Sequence, residues 1–515
     1  MKQFLPHQRY DAQTAGPQYL EDLATGYWYS EVLFTAVEMD LFSCLGEEGA
    51  TVEELAGKLE ATFEGVRRLI RTLVHLGLVT EGDGKCFNTK LSSTYLLKGR
   101  DQYQGHSILW RRHLRPGWQA LTACIRKGGR VEYPDDKPSE RVERIRKYIL
   151  AMDAVAKAKT DEIVRFFEGR SQKGEILDVG TGSGAIAAAF LERFPETRAT
   201  VMDLADVLEQ SRELMSRSGL ERRIQYCPAN ILLSWPLEER DFEIIILSNI
   251  LHAYSERELD HILRSAANRL GKNGILLVHD FFFEHCPQKA SLSDLNMFIN
   301  TFNGRVFQAA NAREQLSRLG LLCSELVPLT SDTAVFFASK EKAALNSLCL
   351  RPEDILVSRM RALGFEEVYP IKSEDIHISE WTSLKCRFGC GHYGSLRCPP
   401  NSPSAGKTRK IVKDYRRALL LQGEPPTRDF QLRVLKAEIE ALKSGFHKAL
   451  SFWAGPCSLC ESCNTEKCRN TAWARPSMEG AGIDVYETVR SAGASLRTLN
   501  SKDEFVKYFA LILLE

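Results

Sequence analysis

Three groups of residues in this chain have types and spacings suited to chemistry. The first is Gly174-Glu175-Ile176-Leu177-Asp178-Val179-Gly180-Thr181-Gly182-Ser183-Gly184, an apolar strand that feeds a glycine-rich turn and then a helix from Ala185. Glycines let the backbone pass close to a ligand and take dihedrals that other residues resist. No Lys-Ser/Thr follows, which excludes a phosphate loop of the Walker kind, and the glycines fall as G-x-G-x-G rather than G-x-G-x-x-G. Asp203 ends the next expected strand, where a carboxylate can bind both hydroxyls of a ribose. A glycine loop alone can be no more than a tight turn; it is the combination with Asp178 and Asp203 that points to a nucleoside-containing ligand. The second group is His252, just past the apolar run Phe242 to Leu247, with Asp280 at the end of the following strand. An imidazole of ordinary basicity suits general-base work near neutral pH, and a carboxylate can orient it. The alternative is a histidine with only a structural role. His279 is a further candidate, which a regular strand points to the opposite face.

The third group is Cys457, Cys460, Cys463 and Cys468, a C-x2-C-x2-C-x4-C run. Thiolates at two-residue steps wrap one face of a compact iron-sulfur cluster, as in bacterial ferredoxin sequences. Structural zinc is the alternative, although zinc sites usually come as two cysteine pairs a dozen or more residues apart. Upstream, Cys386, Cys390 and Cys398 are spaced C-x3-C-x7-C. They either hold a second cluster with one open iron site or stiffen the domain around the first, and the spacing leaves both open. The other seven of the 14 cysteines lie scattered and are expected to be reduced core thiols.

The elements that must position these groups suggest an α/β chain in three parts: 1–110, 111–345 and 346–515. In the first, Thr51-Val52-Glu53-Glu54 is a capping box, and Val66, Leu69, Ile70, Leu73 and Leu76 make one helical stripe that ends near Gly77. A hairpin around Glu81-Gly82-Asp83-Gly84-Lys85 follows, completing a winged-helix pattern. Arg67, Arg68 and Arg71 would serve DNA binding, but the net charge of +1 and the enzyme-like segment downstream favour a dimerisation or packing module. From 174 to 340, strands alternate with helices, which predicts an open, mostly parallel sheet with ligands at the strands' carboxyl ends. Residues 346–515 read as a separate cysteine-rich α+β domain. The polar start Met1 to His7 and the lack of a long apolar run predict a cytoplasmic chain with no membrane span.

The glycine loop resembles the first motif of the class I S-adenosylmethionine-dependent methyltransferases, E/D-x-G-x-G-x-G. The resemblance implies that Gly180, Gly182 and Gly184 contact the methionine part of the cofactor and Asp203 its ribose. Asn230 stands in Ala229-Asn230, where the family usually has Gly-Asp, and its amide oxygen would meet the adenine. Asp178 and Ser248 complete the expected cofactor-binding set. Residues 20 to 340 resemble more narrowly the O-methyltransferases of the caffeate type, which carry an N-terminal winged-helix dimerisation domain. By that likeness His252 matches the catalytic base and Asp280 its supporting acid, usually Glu. Ala253 replaces an acceptor-placing Asp, and Ser248 replaces a Lys or Arg, so an acceptor other than the family's standard phenol is implied. Residues 353–515, with Cys-Gly-His-Tyr-Gly, Cys-Pro-Pro and Gly482-Ile483-Asp484-Val485, resemble predicted metal-binding proteins of unknown function. The expected protein is a homodimeric enzyme that methylates a small-molecule hydroxyl and carries an iron-sulfur domain with a redox or partner-binding role, acting without nucleic acid. The rival readings are a redox-responsive DNA-binding regulator and an iron-sulfur electron carrier with a vestigial methyltransferase.

Overall fold

The structure, a computed structural model, describes residues 16–131, 137–170, 173–216, 218–237, 240–365, 367–423, 427–463, 466–496, 498 and 507–515. The N-terminal segment Met1 to His7 lies outside them. The chain divides into two compact units, one holding Tyr27–Leu350 and the other Arg351–Glu515 with the N-terminal segment up to Gly26. No helix among the described residues is long and apolar enough to cross a membrane.

In the first unit, Thr51 and Glu54 exchange the two hydrogen bonds of a capping box and open the helix Val52–Lys58. The helix Phe63–His75 buries Val66, Ile70 and Leu73, the centre of the expected stripe. Strands β1 (Val79–Gly82) and β2 (Lys85–Asn88) form the antiparallel hairpin, with Asp83 and Gly84 both at positive φ as a tight two-residue turn requires. Glu64 pairs with Arg67 at 2.8 Å and Arg68 at 2.7 Å, so two of the three arginines that DNA binding would need are already engaged.

The main sheet contains β3 (Gly174–Val179), β4 (Thr197–Asp203), β5 (Ile224–Pro228), β6 (Phe242–Ser248), β7 (Leu270–Asp280), β8 (Leu322–Cys323), β9 (Val327–Pro328) and β10 (Ala334–Ser339). Its order is β5-β4-β3-β6-β7-β10-β8, with β9 also pairing to β10. The first five strands are parallel and β10 is antiparallel to β7. Helices cover both faces, which is why β3 and β6 are nearly unbroken apolar runs. Beginning at Leu270, β7 starts earlier than its apolar stretch from Gly274 suggests, because Leu270 pairs with Phe242 before a register shift. A 27-residue helix, Pro138–Val164, was not signalled by the sequence pattern; its buried positions include small Ala151 and Ala154 interleaved with lysines.

The second unit is an antiparallel sheet of β11 (Glu367–Lys372), β12 (Arg417–Gly423), β13 (Leu450–Phe452) and β14 (Tyr508–Leu513), in the order β11-β12-β14-β13. Alternate residues face two cores: Leu419, Leu421, Ala510 and Ile512 pack with Phe430 and Val434, while Leu420, Phe509 and Leu511 pack with Met478 and Ile483. The loop bearing Cys457 to Cys468 leaves the end of β13 and returns beside it. Trp453 N donates to Pro476 O, and Met478 N to Trp453 O. Buried Glu438, on the helix Arg428–Lys443, clamps this return. It accepts from Ser451 N at 2.7 Å, Ser451 Oγ at 2.6 Å, Arg475 Nε at 3.0 Å and Arg475 Nη2 at 2.6 Å.

Burial alone would raise the Glu438 pKa, but Arg475 and Ser451 outweigh it and hold the carboxyl below its ordinary value. The stabilisation is therefore present above the unfolded glutamate pKa of about 4.3 and is lost as pH falls through the folded value. Replacing Glu438 with Ala leaves Arg475 unpaired and should cost about 3–5 kcal/mol. Denaturant unfolding, with hydrogen exchange at β13 and β14 to locate the loss, measures it.

Candidate active site and cysteine centre

At the carboxyl end of β3 the chain turns through Gly180, Gly182 and Gly184 at φ of 64°, 57° and 80°. A Cβ at Gly180 would sit 2.4 Å from Ile250 Cδ1, and one at Gly184 would sit 2.3 Å from Met215 Sδ, so both glycines are needed for packing. A Cβ at Gly182 would meet nothing within 4 Å. Gly182 thus faces open space, and its N–H donates to Asp203 Oδ2 at 2.9 Å while Leu204 N donates to Oδ1 at 2.7 Å. Burial raises the Asp203 pKa, so incoming hydroxyl donors would favour its ionised form. Asp178 lies beneath the loop, 3 % exposed, and accepts from Thr181 Oγ1 at 2.7 Å. Asn230 is exposed after β5, and the amide oxygen expected to meet adenine accepts from Leu232 N at 3.0 Å.

On the same edge, β6 exits through Asn249 at φ 52° into a short turn, Leu251–Ala253. There His252 Nδ1 lies 2.5 Å from Asp280 Oδ1, at the end of β7. Asp280 is 1 % exposed and also accepts from Leu251 N at 2.9 Å, His252 N at 3.2 Å and Phe281 N at 2.7 Å. Burial would push this carboxyl up, but the imidazole charge and hydrogen bond leave it below its usual range. His279 points the other way. Its Nδ1 meets Ser248 Oγ and its Nε2 meets Thr333 Oγ1, both at 2.8 Å, and burial pulls its pKa down to about 3. It is a neutral cross-link joining β6, β7 and β10, with no nitrogen left for a substrate. Ser248, expected at the cofactor, spends its hydroxyl on that link. Two residues that sequence reasoning missed flank Asp203. Burial, then the Asp203 charge, pushes Tyr254 up to about 12 and also raises Tyr148. Tyr148 is crowded by protein yet 40 % exposed, as befits a side chain lining a cleft.

In the second unit a cavity of about 240 Å³ is lined by Cys386, Cys390, Cys398, Trp381, Glu479 and Tyr486. A smaller neighbouring cavity is lined by Cys398, Cys457, Cys460, Cys463, Cys468 and His392. Cys398 walls both, so the fold brings the two cysteine segments together. Burial first, then the adjacent thiols of Cys390, Cys386, Cys457 and Cys463, pushes Cys398 up to about 11. Amide donors reach the sulfurs: Gln431 Nε2 lies 3.5 Å from Cys457 Sγ, and Asn470 Nδ2 lies 3.0 Å from Cys460 Sγ. Gln431 is itself 1 % exposed and accepts from Ser458 N at 2.8 Å. Among the described residues no three His, Cys, Asp or Glu side chains converge tightly enough to hold a single ion. Of the scattered seven cysteines, Cys86, Cys124 and Cys227 are buried as expected, whereas Cys349 is exposed.

Residues 128–321 match the family model described as the O-methyltransferase domain, and residues 21–98 match that of the O-methyltransferase dimerisation domain. The two matches, 21–98 and 128–321, are to the two domains of O-methyltransferases. Residues 369–514 match a family described as predicted metal-binding proteins. The 3-hydroxy-5-methyl-1-naphthoate 3-O-methyltransferase of Streptomyces sahachiroi is 28 % identical over 317 residues, covering 60 % of this chain and 90 % of that protein. Acetylserotonin O-methyltransferase of Bos taurus is 28 % identical over 326 residues, covering 59 % and 92 %. The crystal structure of human N-acetylserotonin methyltransferase in complex with SAM superimposes with a TM-score of 0.56 at 23 % identity, covering 64 % of this chain and 100 % of that one. The O-methyltransferase is S-adenosylmethionine-dependent, and the open face of Gly182 beside Asp203 fits that cofactor.

Burial raises the Asp178 pKa to about 7, with the Asp203 charge adding to it and Thr181 opposing it. The folded protein therefore binds this proton more tightly than the unfolded chain, and stability declines as pH rises from about 4 to about 7. Asp178→Asn removes the titration, so its stability relative to the parent should increase across that window, by up to about 1.4 kcal/mol per pH unit. Thermal unfolding of the cofactor-free protein at stepped pH checks this.

Proposed function

We propose that this O-methyltransferase methylates a hydroxyl of a small aromatic molecule, with His252 as the general base. The observation that carries the reading is the bond of His252 Nδ1 to buried Asp280 on the edge of the sheet where the glycine loop opens. Because Nδ1–H donates to the carboxylate, Nε2 holds the lone pair and faces the acceptor. S-adenosylmethionine, held by Gly180, Gly182, Gly184 and Asp203, supplies an electrophilic methyl group. His252 Nε2 takes the hydroxyl proton as the oxygen is methylated, and Asp280 stabilises the resulting imidazolium. Tyr148 and Tyr254 line the approach. The named relatives act on a hydroxynaphthoate and on acetylserotonin, which supports an aromatic acceptor for this chain.

His252→Ala should lower kcat by about 10²–10⁴-fold on hydroxynaphthoate or hydroxyindole probes. S-adenosylhomocysteine binding, measured by calorimetry, should be unchanged; equal turnover by parent and variant would overturn the assignment. Asp280→Asn should also lower kcat, because an amide does not stabilise the imidazolium.

The match of residues 21–98 to a dimerisation domain supports a homodimer. In the second unit the seven cysteines support an iron-sulfur cluster, which would supply one-electron chemistry. A single zinc ion, with Zn–S near 2.3 Å, requires ligand sulfurs within about 4 Å of one another. A cluster binds its cysteines through different irons and takes a wider set, and the amide donors of Gln431 and Asn470 suit anionic sulfur. About four irons with matching acid-labile sulfide per chain are expected on anaerobic purification. Zinc without sulfide would refute the cluster. Cys398→Ser should lower the iron content if Cys398 joins the two cysteine segments in one centre.

A further inference from the structure

The helix Pro138–Val164 holds Lys159 at 8 % exposure. Among the described residues its ammonium makes no hydrogen bond and no ion pair within 4 Å. A ring face and carboxylates beyond ion-pair distance offset only part of the desolvation cost of a buried ammonium. The carboxylates that it feels, Asp332, Asp280 and Glu162, all lie beyond ion-pair distance. Asp280 is committed to His252, and Glu162 accepts from Thr330 N and Oγ1.

Lys159 Nζ lies 5.8 Å from the Phe281 ring, and that ring stands edge-on to the His252 imidazole at 5.5 Å. One phenyl group therefore separates the ammonium from the base. Arg111, on the helix Gly105–His113, is exposed and likewise makes no hydrogen bond or ion pair among the described residues; the Asp332 charge acts on both cations, and Tyr148 acts on Arg111. Trp110 meets the Tyr148 ring at 5.3 Å, adding an aromatic wall. Two cations, one of them buried, thus stand near the rings of Phe281 and Tyr148, with Phe281 in contact with the His252 imidazole.

We infer that Lys159, assisted by Arg111, binds a carboxylate carried by the aromatic methyl acceptor, so that the enzyme selects hydroxyarene carboxylates over their neutral counterparts. The inference rests on the methyltransferase reading and names the substrate class of that same site. A carboxylate at Lys159 leaves the far side of the ring for the hydroxyl at His252, which fixes orientation as well as affinity.

The test uses the full chain saturated with S-adenosylhomocysteine and titrated with hydroxybenzoates and hydroxynaphthoates, each beside its carboxamide. The parent should bind at least one carboxylate about tenfold or more tighter than its amide. Lys159→Met, which replaces an unpaired charge with an apolar chain of similar length, should fold, retain S-adenosylhomocysteine affinity and erase the preference; Lys159→Arg should restore most of it. A parent that binds S-adenosylhomocysteine without preferring any carboxylate overturns the inference and leaves the methyltransferase reading intact. Loss of S-adenosylhomocysteine affinity in Lys159→Met overturns it too, by assigning the lysine to the cofactor. Failure of the parent itself to bind S-adenosylhomocysteine defeats the underlying reading.

Discussion

The carboxylate of Asp280 is the constraint on which the loop carrying His252 depends. At 1 % exposure it must find its partners inside the protein, and it takes four donors: the backbone N–H groups of Leu251, His252 and Phe281, and the ring of His252. Three of these come from the segment that leaves β6. The loop is therefore pinned to the end of β7, and the imidazole is held in one orientation and one tautomer. Beneath it, Ser248, His279 and Thr333 tie β6, β7 and β10 together. An imidazole supported in this way keeps its geometry without help from a ligand.

The cofactor side follows the same logic with backbone in place of a side chain. Asp203 holds the N–H of Gly182, Ser211 donates to the carbonyl of the same residue, and Asp178 holds Thr181, so a loop with three positive-φ glycines keeps a single shape. Both halves open on one edge because β3 pairs with β4 on one side and β6 on the other. That reversal of strand order leaves a crevice at the carboxyl ends. The glycine loop with Asp203 and the His252–Asp280 pair thus meet through topology, although their residues lie up to about a hundred positions apart in sequence.

The second unit shows a different economy. Its sheet is covered on both faces, and its cysteines lie in irregular segments stitched to that sheet by Trp453, Met478, Glu438 and Arg475. Cys398 belongs by sequence to the upstream segment and by position to both cavities. The donors to Cys457 and Cys460, Gln431 and Asn470, are neutral amides, which can support anionic sulfur without cancelling its charge.

Much of the architecture was legible from the chain alone because its signals are short in range. The capping box at Thr51, the strand, glycine turn and helix from 174 to 193, and the placement of His252 and Asp280 at strand ends each depend on a few neighbouring residues. The C-x2-C-x2-C-x4-C spacing likewise marks a metal-ligand pattern before any fold is known. Tertiary structure alone decided that His279 is a cross-link, since its Thr333 partner lies 54 residues away, and that Ser248 is spent on it. It also decided that β10 runs antiparallel beside β7, that a helix without a clear apolar stripe sets Tyr148 near Asp203 and Lys159 against Phe281, and that Cys398 lines both cysteine cavities. Helical and strand periodicity report which face of an element is buried. Which distant group that face meets is set by strand order and packing, for which residue spacing carries no signal.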